Sequence, residues 1–402
     1  MESNKKNIPE IRFPEFMNDG EWRLDTIETI FSIRNGYTPS KANPLFWENG
    51  TIPWFRMEDI RKSGHILSDA IQHITPKAVK GSGLIPAYSI IVATTATIGE
   101  HALTIVDSLA NQRFTFLTKC KSFEKRIDML YFHYFMFIID EWCKRNTNAG
   151  GLLSVNMDSF KRLVVPYPPT IAEQKRIAEC FYSLDKVIES IRQKLEQLKA
   201  HRKGLMQKLF PAPGKSVPEC RFKEFENAGE WLSSSLNEII ETVTPARKLQ
   251  VSEYKSYGKY PIIDQSQKYI VAYSDTIDAL TNMECFDAIV FGDHTCALKF
   301  VNFPFIQGAD GIKIFSSNDS NKVSTNYLYQ YLSAFPIESK EYKRHFSALK
   351  EIVIKFPSDV IEQQKIAACL SSIDNVINLY SNKLDILERH KQALRQRLFP
   401  TI

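Results

Sequence analysis

The chain has 402 residues, a formal net charge of +5 and 44% hydrophobic residues. This length exceeds what one ordinary core accommodates, and the composition excludes a disordered or fibrous chain. The longest apolar run, Met129–Ile139, is far shorter than the ~20 residues of a membrane span, and seven cysteines without disulfide or metal spacing favour a reduced, cytoplasmic protein.

The first recognisable segment returns in the second half of the chain. Residues Pro9–Trp22 match Pro218–Trp231 at ten of fourteen positions, with an offset of 209. A second pair, Leu195–Pro211 and Leu384–Pro400, matches with an offset of 189, so the second copy has lost about twenty residues from its middle. Matching ends around diverged middles indicate one scaffold that carries two different surfaces.

The repeat divides the chain into four predicted parts. We expect a first globular domain over residues 1–167 and a second over residues 212–357. A long helix should follow each of them, over residues 168–211 and over residues 358–402, because prolines bracket both segments.

The two diverged middles show the same order of elements. Each contains a short apolar strand, at Ser89–Val92 and at Ala288–Phe291, and later an aromatic helix, at Asp128–Phe135 and at Thr325–Leu332. This order predicts an α+β protein whose two domains share one mixed α/β fold.

Several loops of both middles combine small polar, aromatic and basic residues. Arginine side chains match the acceptor edge of guanine, and amide side chains match adenine. The competing interpretation is that each is an ordinary surface residue. The candidate contacts of the first domain are Asn35, Tyr37, Thr38, Ser40, Lys41, Arg56, Arg61, Lys62, Thr94 and Thr95. Those of the second domain are Arg247, Lys248, Lys259, Gln265, Lys268, His294 and Thr295.

Both predicted helices carry an apolar seam with a mostly alternating spacing of four and three residues. The seam of the first helix consists of Ile177, Phe181, Leu184, Ile188, Ile191, Leu195 and Leu198. That of the second helix consists of Ile366, Leu370, Ile373, Ile377, Leu384, Leu387 and Leu394. A heptad seam buries itself against another helix, which predicts an antiparallel intramolecular coiled coil with pseudo-two-fold symmetry. The alternative is two separate helices, each packed on its own domain.

Several short motifs occur in a paired order along the chain. They are the duplicated entry segment, the loop Asn35–Ser40, the helix start Pro168–Ala178 with its second version Ile361–Ala367, and the two Leu-Phe-Pro helix ends. Together they resemble the specificity subunit of type I restriction-modification systems. The second copy departs from this pattern, since it lacks the Gly-x-Thr-Pro loop and one proline before its helix.

The resemblance implies two target-recognition domains, each reading one half of a split double-stranded DNA sequence. It implies that the helices act as a spacer and dock two methyltransferase subunits, which bind S-adenosylmethionine and methylate adenine. Restriction and translocase subunits would supply the ATP- and Mg²⁺-dependent activities. This chain itself would then bind no cofactor and catalyse no reaction.

Two other classes of function stay open on the residues alone. The seam and the nearly neutral globular parts also fit a two-domain coiled-coil adaptor that binds proteins without reading DNA. An enzyme with unrecognised active-site residues is disfavoured, because the sequence lacks a phosphate-binding loop and a convincing methyltransferase motif. We predict no metal site, since Cys285, His294 and Cys296 lack a fourth ligand.

Overall fold

The computed structural model divides the chain into two compact units. Unit 1 combines Met1–Ser190 with Leu384–Ile402, and unit 2 is the continuous stretch Ile191–Lys383. Unit 1 is therefore assembled from two segments that lie far apart in the sequence. The structure describes residues 8–148, 154–245, 247–281, 287–308, 311–336, 345–400 and 402.

Unit 1 contains the first set of strands and short helices. Its strands are β1 (Arg23–Thr26), β2 (Phe31–Asn35), β3 (Ile52–Phe55), β4 (Ile66–Leu67), β5 (His73–Ile74), β6 (Ser89–Ala93), β7 (His101–Thr104), β8 (Leu109–Ala110), β9 (Phe114–Lys119), β10 (Thr147–Asn148), β11 (Ser154–Val155) and β12 (Val164–Tyr167). Its helices are α1 (Ile27–Ile30), α2 (Met57–Ser63), α3 (Met129–Arg145) and α4 (Met157–Lys161). The long helix α5 (Ile171–Leu209) begins in unit 1 and continues into unit 2.

A five-stranded sheet with the order β2-β9-β6-β7-β4 forms the centre of unit 1. Its middle strand β6 is buried along its whole length, and alternate side chains enter different cores. Ile90 and Val92 join the core that contains α3, whereas Ile91 joins the core that contains Trp54 of β3. The smaller sheet β5-β3-β8 belongs to this second core. An uninterrupted apolar strand is thus explained by burial on both faces.

Three histidines lie together in unit 1: His65, His101 and His133, of which His133 is on α3. His101 of β7 pairs with Asp140 at 2.6 Å through Nδ1, and its Nε2 donates to the carbonyl oxygen of His133 at 2.9 Å. Burial lowers the pKa of His133 well below its ordinary value, and the neighbouring His101, His65 and Lys391 lower it further. The neutral imidazole is therefore the favoured form of His133 in the folded protein.

Unit 2 contains a second set of elements in a similar order. Its strands are β13 (Leu232–Ser235), β14 (Ile240–Val243), β15 (Tyr260–Ile263), β16 (Ala272–Ser274), β17 (Ala288–Gly292), β18 (Leu298–Val301), β19 (Ile306–Gln307), β20 (Ile312–Ser317) and β21 (Val353–Phe356). Its short helices are α6 (Leu236–Ile239), α7 (Thr325–Ala334) and α8 (Phe346–Lys350). The long helix α9 (Val360–Leu398) begins in unit 2 and ends in unit 1.

The sheets of unit 2 repeat those of unit 1. The order β14-β20-β17-β18 matches β2-β9-β6-β7, and the order β16-β15-β19 matches β5-β3-β8. Strand β17 again divides its side chains, because Ile289 joins the core that contains α7 whereas Val290 joins the opposite core. The shared mixed α/β fold expected from the sequence is confirmed.

A buried Glu-Gln pair fixes the start of α5 in unit 1. The guanidinium of Arg12 donates two hydrogen bonds of 2.7 Å to the carboxylate of Glu173, which is fully buried. Gln174 donates to the carbonyl oxygens of Pro168 and Arg126 and accepts from the backbone N–H of Asp128. A bidentate, buried contact of this kind is both strong and directional. The entry segment, the helix start and the approach to α3 are therefore tied together.

The same contacts occur in unit 2 at the start of α9. Arg221 donates to both carboxylate oxygens of Glu362, at 2.8 and 2.6 Å. Gln363 donates to the carbonyl oxygens of Pro357 and Lys322. In each unit, the arginine of the entry segment thus binds the glutamate at the helix start, which explains why both motifs are duplicated together.

The long helices contain 39 residues each, as their apolar periodicity predicts. All seam positions are buried or half-buried. In unit 1, Phe181 stacks on Phe399 with ring centroids 5.5 Å apart, and Asp185 pairs with Lys391. The sequence number rises along one segment while it falls along the other, so these segments run antiparallel. Pairing along the entire seam stays a prediction.

The boundary between the units falls within both long helices. Residues 171–190 of α5 belong to unit 1 and residues 191–209 to unit 2, while α9 divides in the opposite order. Each unit thus contains the first part of one long helix and the last part of the other. Among the described residues, no helix is long and apolar enough to cross a membrane.

Candidate nucleic-acid interface

Three strand ends of unit 1 meet through a chain of hydroxyl and amide groups. Thr115 at the start of β9 donates to the side-chain oxygen of Asn35 at the end of β2, at 3.0 Å. Its hydroxyl also lies 3.0 Å from that of Thr94, which directly follows β6. Because β2, β9 and β6 are neighbours in the sheet, their ends form one polar edge.

The loop before β9 completes this edge. The carbonyl oxygen of Arg113 accepts from the backbone N–H of Thr94 at 3.1 Å, and the hydroxyl of Thr95 lies 3.5 Å from the same oxygen. Thr38 donates to the side-chain oxygen of Gln112. The side chains of Gln112 and Arg113 are exposed. We call this surface the first polar edge; it consists of Asn35, Thr38, Thr94, Thr95, Asn111, Gln112 and Arg113.

Gly36 and Tyr37 hold the neighbouring loop close to the first polar edge. A Cβ atom on Gly36 would lie 2.3 Å from the carbonyl oxygen of Asn111, so only glycine permits this approach. Tyr37 donates its backbone N–H to Ala110 and its hydroxyl to the carbonyl oxygen of Ala78 at 3.1 Å. The phenol of Tyr37 therefore anchors the loop to the backbone at Ala78.

Arg56 follows β3 next to the same loop. The preceding carbonyl oxygen, of Phe55, accepts from the backbone N–H of Asn111 at 3.1 Å. The Arg56 side chain is half-buried, and its Nε lies 3.7 Å from the exposed carboxylate of Glu58. Because Glu58 is exposed and the pair is long, it contributes little and leaves the guanidinium able to bind another acceptor.

The other predicted contacts of the first domain lie on separate segments. Ser40 and Lys41 are exposed on a loop that is held by Trp47, whose indole N–H donates to the carbonyl oxygen of Ser40. Arg61 and Lys62 are exposed in the last turn of α2. For all four residues, a role in DNA binding stays a prediction.

In unit 2 a buried lysine holds the loop that follows β15. The ammonium of Lys299 donates to the carbonyl oxygens of Asp264 and Lys268, at 2.7 and 2.6 Å. Lys299 is only 5% exposed, and burial lowers its pKa despite the opposing effect of Asp264. These two hydrogen bonds clamp both ends of a loop whose side chains include two glutamines.

Two further backbone segments meet at this clamped loop. Thr295 donates to the carbonyl oxygen of Gln265 at 2.5 Å, and Asp293 donates its backbone N–H to Gly311 at 2.7 Å. Gly311 has a φ of +88°, and a Cβ atom there would lie 2.7 Å from the amide oxygen of Gln265. We call this surface the second polar edge; it consists of Gln265, Lys268, Asp293, His294, Thr295 and Gly311.

Arg247, Lys248 and Lys259 lie on other segments of unit 2. The guanidinium of Arg247 pairs with the carboxylates of Glu253 and Asp278. Lys248 and Lys259 are exposed. A contact from Arg247 to DNA would have to replace two existing ion pairs, which makes it a weaker candidate than Arg56.

Equivalent turns of the two edges hold a non-glycine residue in the left-handed region. Ala96 has a φ of 64° and follows Thr95, and Cys296 has a φ of 55° and follows Thr295. This backbone conformation costs an L-residue on the order of 1–2 kcal/mol, and such strain concentrates at functional sites. Its occurrence in both units supports a function for these turns. Cys285, named above with the incomplete metal set, lies outside the described residues.

Both units match one known protein family. The profile described as "Type I restriction modification DNA specificity domain" matches residues 19–200 and again residues 228–389. The chain belongs to this family. The two matched stretches cover most of the sequence, and the specificity family thereby confirms the duplication that the sequence shows.

Individual relatives of this specificity chain agree with the family. The type I restriction enzyme EcoprrI specificity subunit of Escherichia coli is 45% identical over 174 residues, which are 42% of this chain and 43% of that protein. The MjaVIII specificity subunit of Methanocaldococcus jannaschii is 25% identical over 317 residues, 70% of this chain and 72% of that protein. The chain thus aligns with less than half of the first relative's length.

A solved structure shows the same fold. The crystal structure of the type I restriction-modification system S subunit from M. genitalium has a TM-score of 0.69 and 16% sequence identity, and it covers 98% of this specificity chain and 100% of its own. The fold extends over nearly the whole chain although few residues are shared. The two polar edges must therefore be interpreted from this chain's own residues.

Sequence patterns missed two residues that organise the edges. In the sequence, Arg113 lies between the polar pair Asn111-Gln112 and strand β9. Its proximity to Thr94 depends on the pairing of β6 with β9. Lys299 alternates with apolar residues on β18 and resembles a solvent-facing strand position. Gln112 belongs to the first polar edge but is absent from the contacts predicted above. For Gln112 and Arg113, the polar pair before a strand was the available signal.

Proposed function

We propose that this chain is the non-catalytic DNA-reading subunit of a type I restriction-modification complex, and that each unit reads one half of a bipartite double-stranded target. The single observation that carries the proposal is structural repetition with chemical difference. Equivalent strand ends form a polar edge in each of the two family-matched units, but the side chains on the two edges differ.

The chemistry of each edge supports readout of bases. The first polar edge presents the guanidinium of Arg113, the amides of Asn35 and Gln112 and two threonine hydroxyls. Guanidinium groups pair with guanine and amides with adenine in the major groove. The second polar edge presents Gln265 and Lys268 on the clamped loop and Thr295 on the segment that contacts it. Different side chains on one scaffold should select different half-sites.

The long helices would set the unread spacer and dock two methyltransferase subunits. The repeated Glu-Gln pairs support this role, because they give α5 in unit 1 and α9 in unit 2 the same kind of helix start. In this proposal the methyltransferase subunits bind S-adenosylmethionine and methylate adenine. Restriction subunits use ATP and Mg²⁺, and the complex acts on DNA in the cytoplasm.

Modified-base sequencing tests the proposed function. DNA would be taken from cells that express the chain's partner methyltransferase subunit, with and without the chain. We expect a bipartite methylated sequence that occurs only when the chain is present. Equal methylation without the chain, or methylation of a continuous sequence, would contradict the proposal.

A further inference from the structure

A cavity of about 520 Å³ lies in unit 2 between the last turns of α5 and the end of α7. Cationic and apolar side chains form most of its wall. They include Lys199, Arg202, Lys203, Met206, Phe210 and Phe335. The two polar edges use none of these residues, so the cavity needs a separate explanation.

The repeat identifies the equivalent place in unit 1. In unit 2, Arg202 of α5 donates to Asp374 of α9 at 3.0 Å and to Gln330 of α7 at 2.9 Å. In unit 1, Asp185 of α5 pairs with Lys391 of α9 and accepts from Tyr134 of α3 at 3.0 Å. Arg202 corresponds to Lys391 and Asp374 to Asp185 in the repeat, so α5 and α9 exchange their roles between the two units.

An aromatic ring occupies the equivalent place in unit 1. Phe137, one turn after Tyr134 on α3, lies with its ring centroid 5.6 Å from the ammonium of Lys391 and 5.0 Å from the guanidinium carbon of Arg395. The corresponding residue of unit 2 is Ser333, which lines the cavity. Its hydroxyl donates to the carbonyl oxygen of Tyr329 on its own helix. The cavity therefore lies where unit 1 holds a phenylalanine beneath two cations.

The rim of the cavity carries more positive charge than its counterpart. Lys199 and Lys203 line it, whereas the repeat places Glu388 and Gln392 at the equivalent positions of unit 1. The ion pair of Lys199 with Glu196 is exposed and weak. Aromatic walls beneath lysines suit an aromatic ring that is flanked by a carboxylate. A DNA backbone would satisfy the lysines but leave the apolar wall uncovered.

We propose that this cavity receives an aromatic side chain flanked by an acidic residue from a methyltransferase subunit. Unit 2 would consequently hold its methyltransferase copy more tightly than unit 1 does. The inference rests on the proposed function, and it adds the chemistry of one docking contact and an inequality between the two copies. An external ring would occupy the place that Phe137 occupies in unit 1.

Filling the cavity tests the inference. Ser333→Phe in the full chain supplies the ring internally, and Ser320→Phe adds the same ring at an exposed position of unit 2. Native mass spectrometry would follow the binding of the separately purified methyltransferase subunit to each chain. We expect Ser333→Phe to weaken the tighter copy by about tenfold or more, and Ser320→Phe to leave both copies unchanged.

A second variant protects the test against misfolding. Lys203→Glu leaves the cavity open but repels an acidic segment, so it should weaken the same copy. A photo-crosslinking residue, p-benzoylphenylalanine, at Gln207 on the rim should form a covalent product with the methyltransferase subunit. The inference is wrong if both variants bind both methyltransferase copies as tightly as the unsubstituted chain does. It is also wrong if the residue at Gln207 crosslinks to DNA alone. The proposed function is tested separately by modified-base sequencing, and it fails if the chain does not direct bipartite methylation.

Discussion

The arginines of the two units differ in how their guanidinium groups are engaged. Arg247 is held by two carboxylates, and Arg56 is half-buried near one. Arg113 is exposed, while its backbone is fixed by hydrogen bonds to Thr94 and to the side chain of Asn111. A fixed backbone beneath an exposed guanidinium reduces the entropy that a base contact must overcome. Arg113 is therefore the strongest candidate for direct readout.

Replacing Arg113 by Ala should weaken recognition of one half-site only. A bidentate contact from arginine to guanine contributes about 1–3 kcal/mol of discrimination, so we expect about a tenfold to hundredfold loss. Fluorescence anisotropy of the complex with methyltransferase subunits would be measured on the full target and on targets with either half scrambled. Arg247→Ala serves as the matched control with a smaller expected effect. An equal loss on unrelated DNA would instead identify Arg113 as a phosphate contact.

His133 predicts a pH dependence of the stability of unit 1. Burial lowers its pKa below the ordinary value of 6.5, so the folded state binds fewer protons than the unfolded state near and below that pH. Stability must then fall as the pH falls through about 6.5, because unfolding takes up a proton. Amide hydrogen exchange of unit 1 at pH 7.5 and pH 5.5 would measure this loss.

The variant His133→Gln isolates that contribution. Glutamine does not titrate, so the difference in free energy of unfolding between the two pH values should shrink relative to the unsubstituted chain. Exchange in unit 2 gives an internal reference in the same sample. A pH dependence of unit 1 that is unaltered in His133→Gln would show that other groups cause it.

At the scale of elements, Lys299 connects β18 to the loop of the second polar edge. Lys299→Met keeps a similar length but removes both hydrogen bonds to the loop carbonyl oxygens. We expect the loop to lose its fixed conformation and recognition of the second half-site to relax, while the first half-site keeps its affinity. Binding to targets with single-base changes in each half would measure this. Lys313→Met, at an exposed position on β20, is the matched control. Loss at both half-sites would argue for general destabilisation instead.

The elements themselves were largely predictable from sequence, whereas the contacts between loops were not. Strands β6 and β17 are apolar and short, and helices α3 and α7 are aromatic, so local pattern suffices for them. The edges depend on contacts across many residues of sequence. Lys299 reaches carbonyl oxygens 31 and 35 residues away, and neither acceptor differs from any other backbone group in the sequence.

At the scale of the whole molecule, the sequence predicts domains as continuous stretches. In the structure, unit 1 also contains Leu384–Ile402, from the second long helix and the residues after it. The predicted antiparallel pairing places the end of the second long helix beside the start of the first. The seam alone does not show that this end joins a domain core, because equivalent apolar positions in both helices fit any partner of the same period. The repeated Leu-Phe-Pro ends gain a meaning from it. Phe210 belongs to the core of unit 2, and Phe399 belongs to the core of unit 1.

A matched pair of substitutions tests this division of the chain. Phe399 stacks on Phe181 and contacts Tyr131, while Phe210 contacts Tyr327 and Tyr331. Each phenylalanine is at most 2% exposed, so replacement by Ala should cost about 3–5 kcal/mol. In hydrogen exchange of the full chain, Phe399→Ala should reduce protection around α3, and Phe210→Ala around α7.

The sequence position of Phe399 makes this pair decisive for the assembly of unit 1. If each globular domain were built only from its own continuous stretch and the helix that follows it, Phe399→Ala would weaken the second domain, since the helix before residue 399 directly follows that domain. The structure predicts the opposite, because the affected core is built mainly from the first 190 residues. Loss of protection around α7 in Phe399→Ala, with α3 unchanged, would contradict the division into units. Loss confined to α3 would mean that Phe399 stabilises a core built mainly from the first 190 residues.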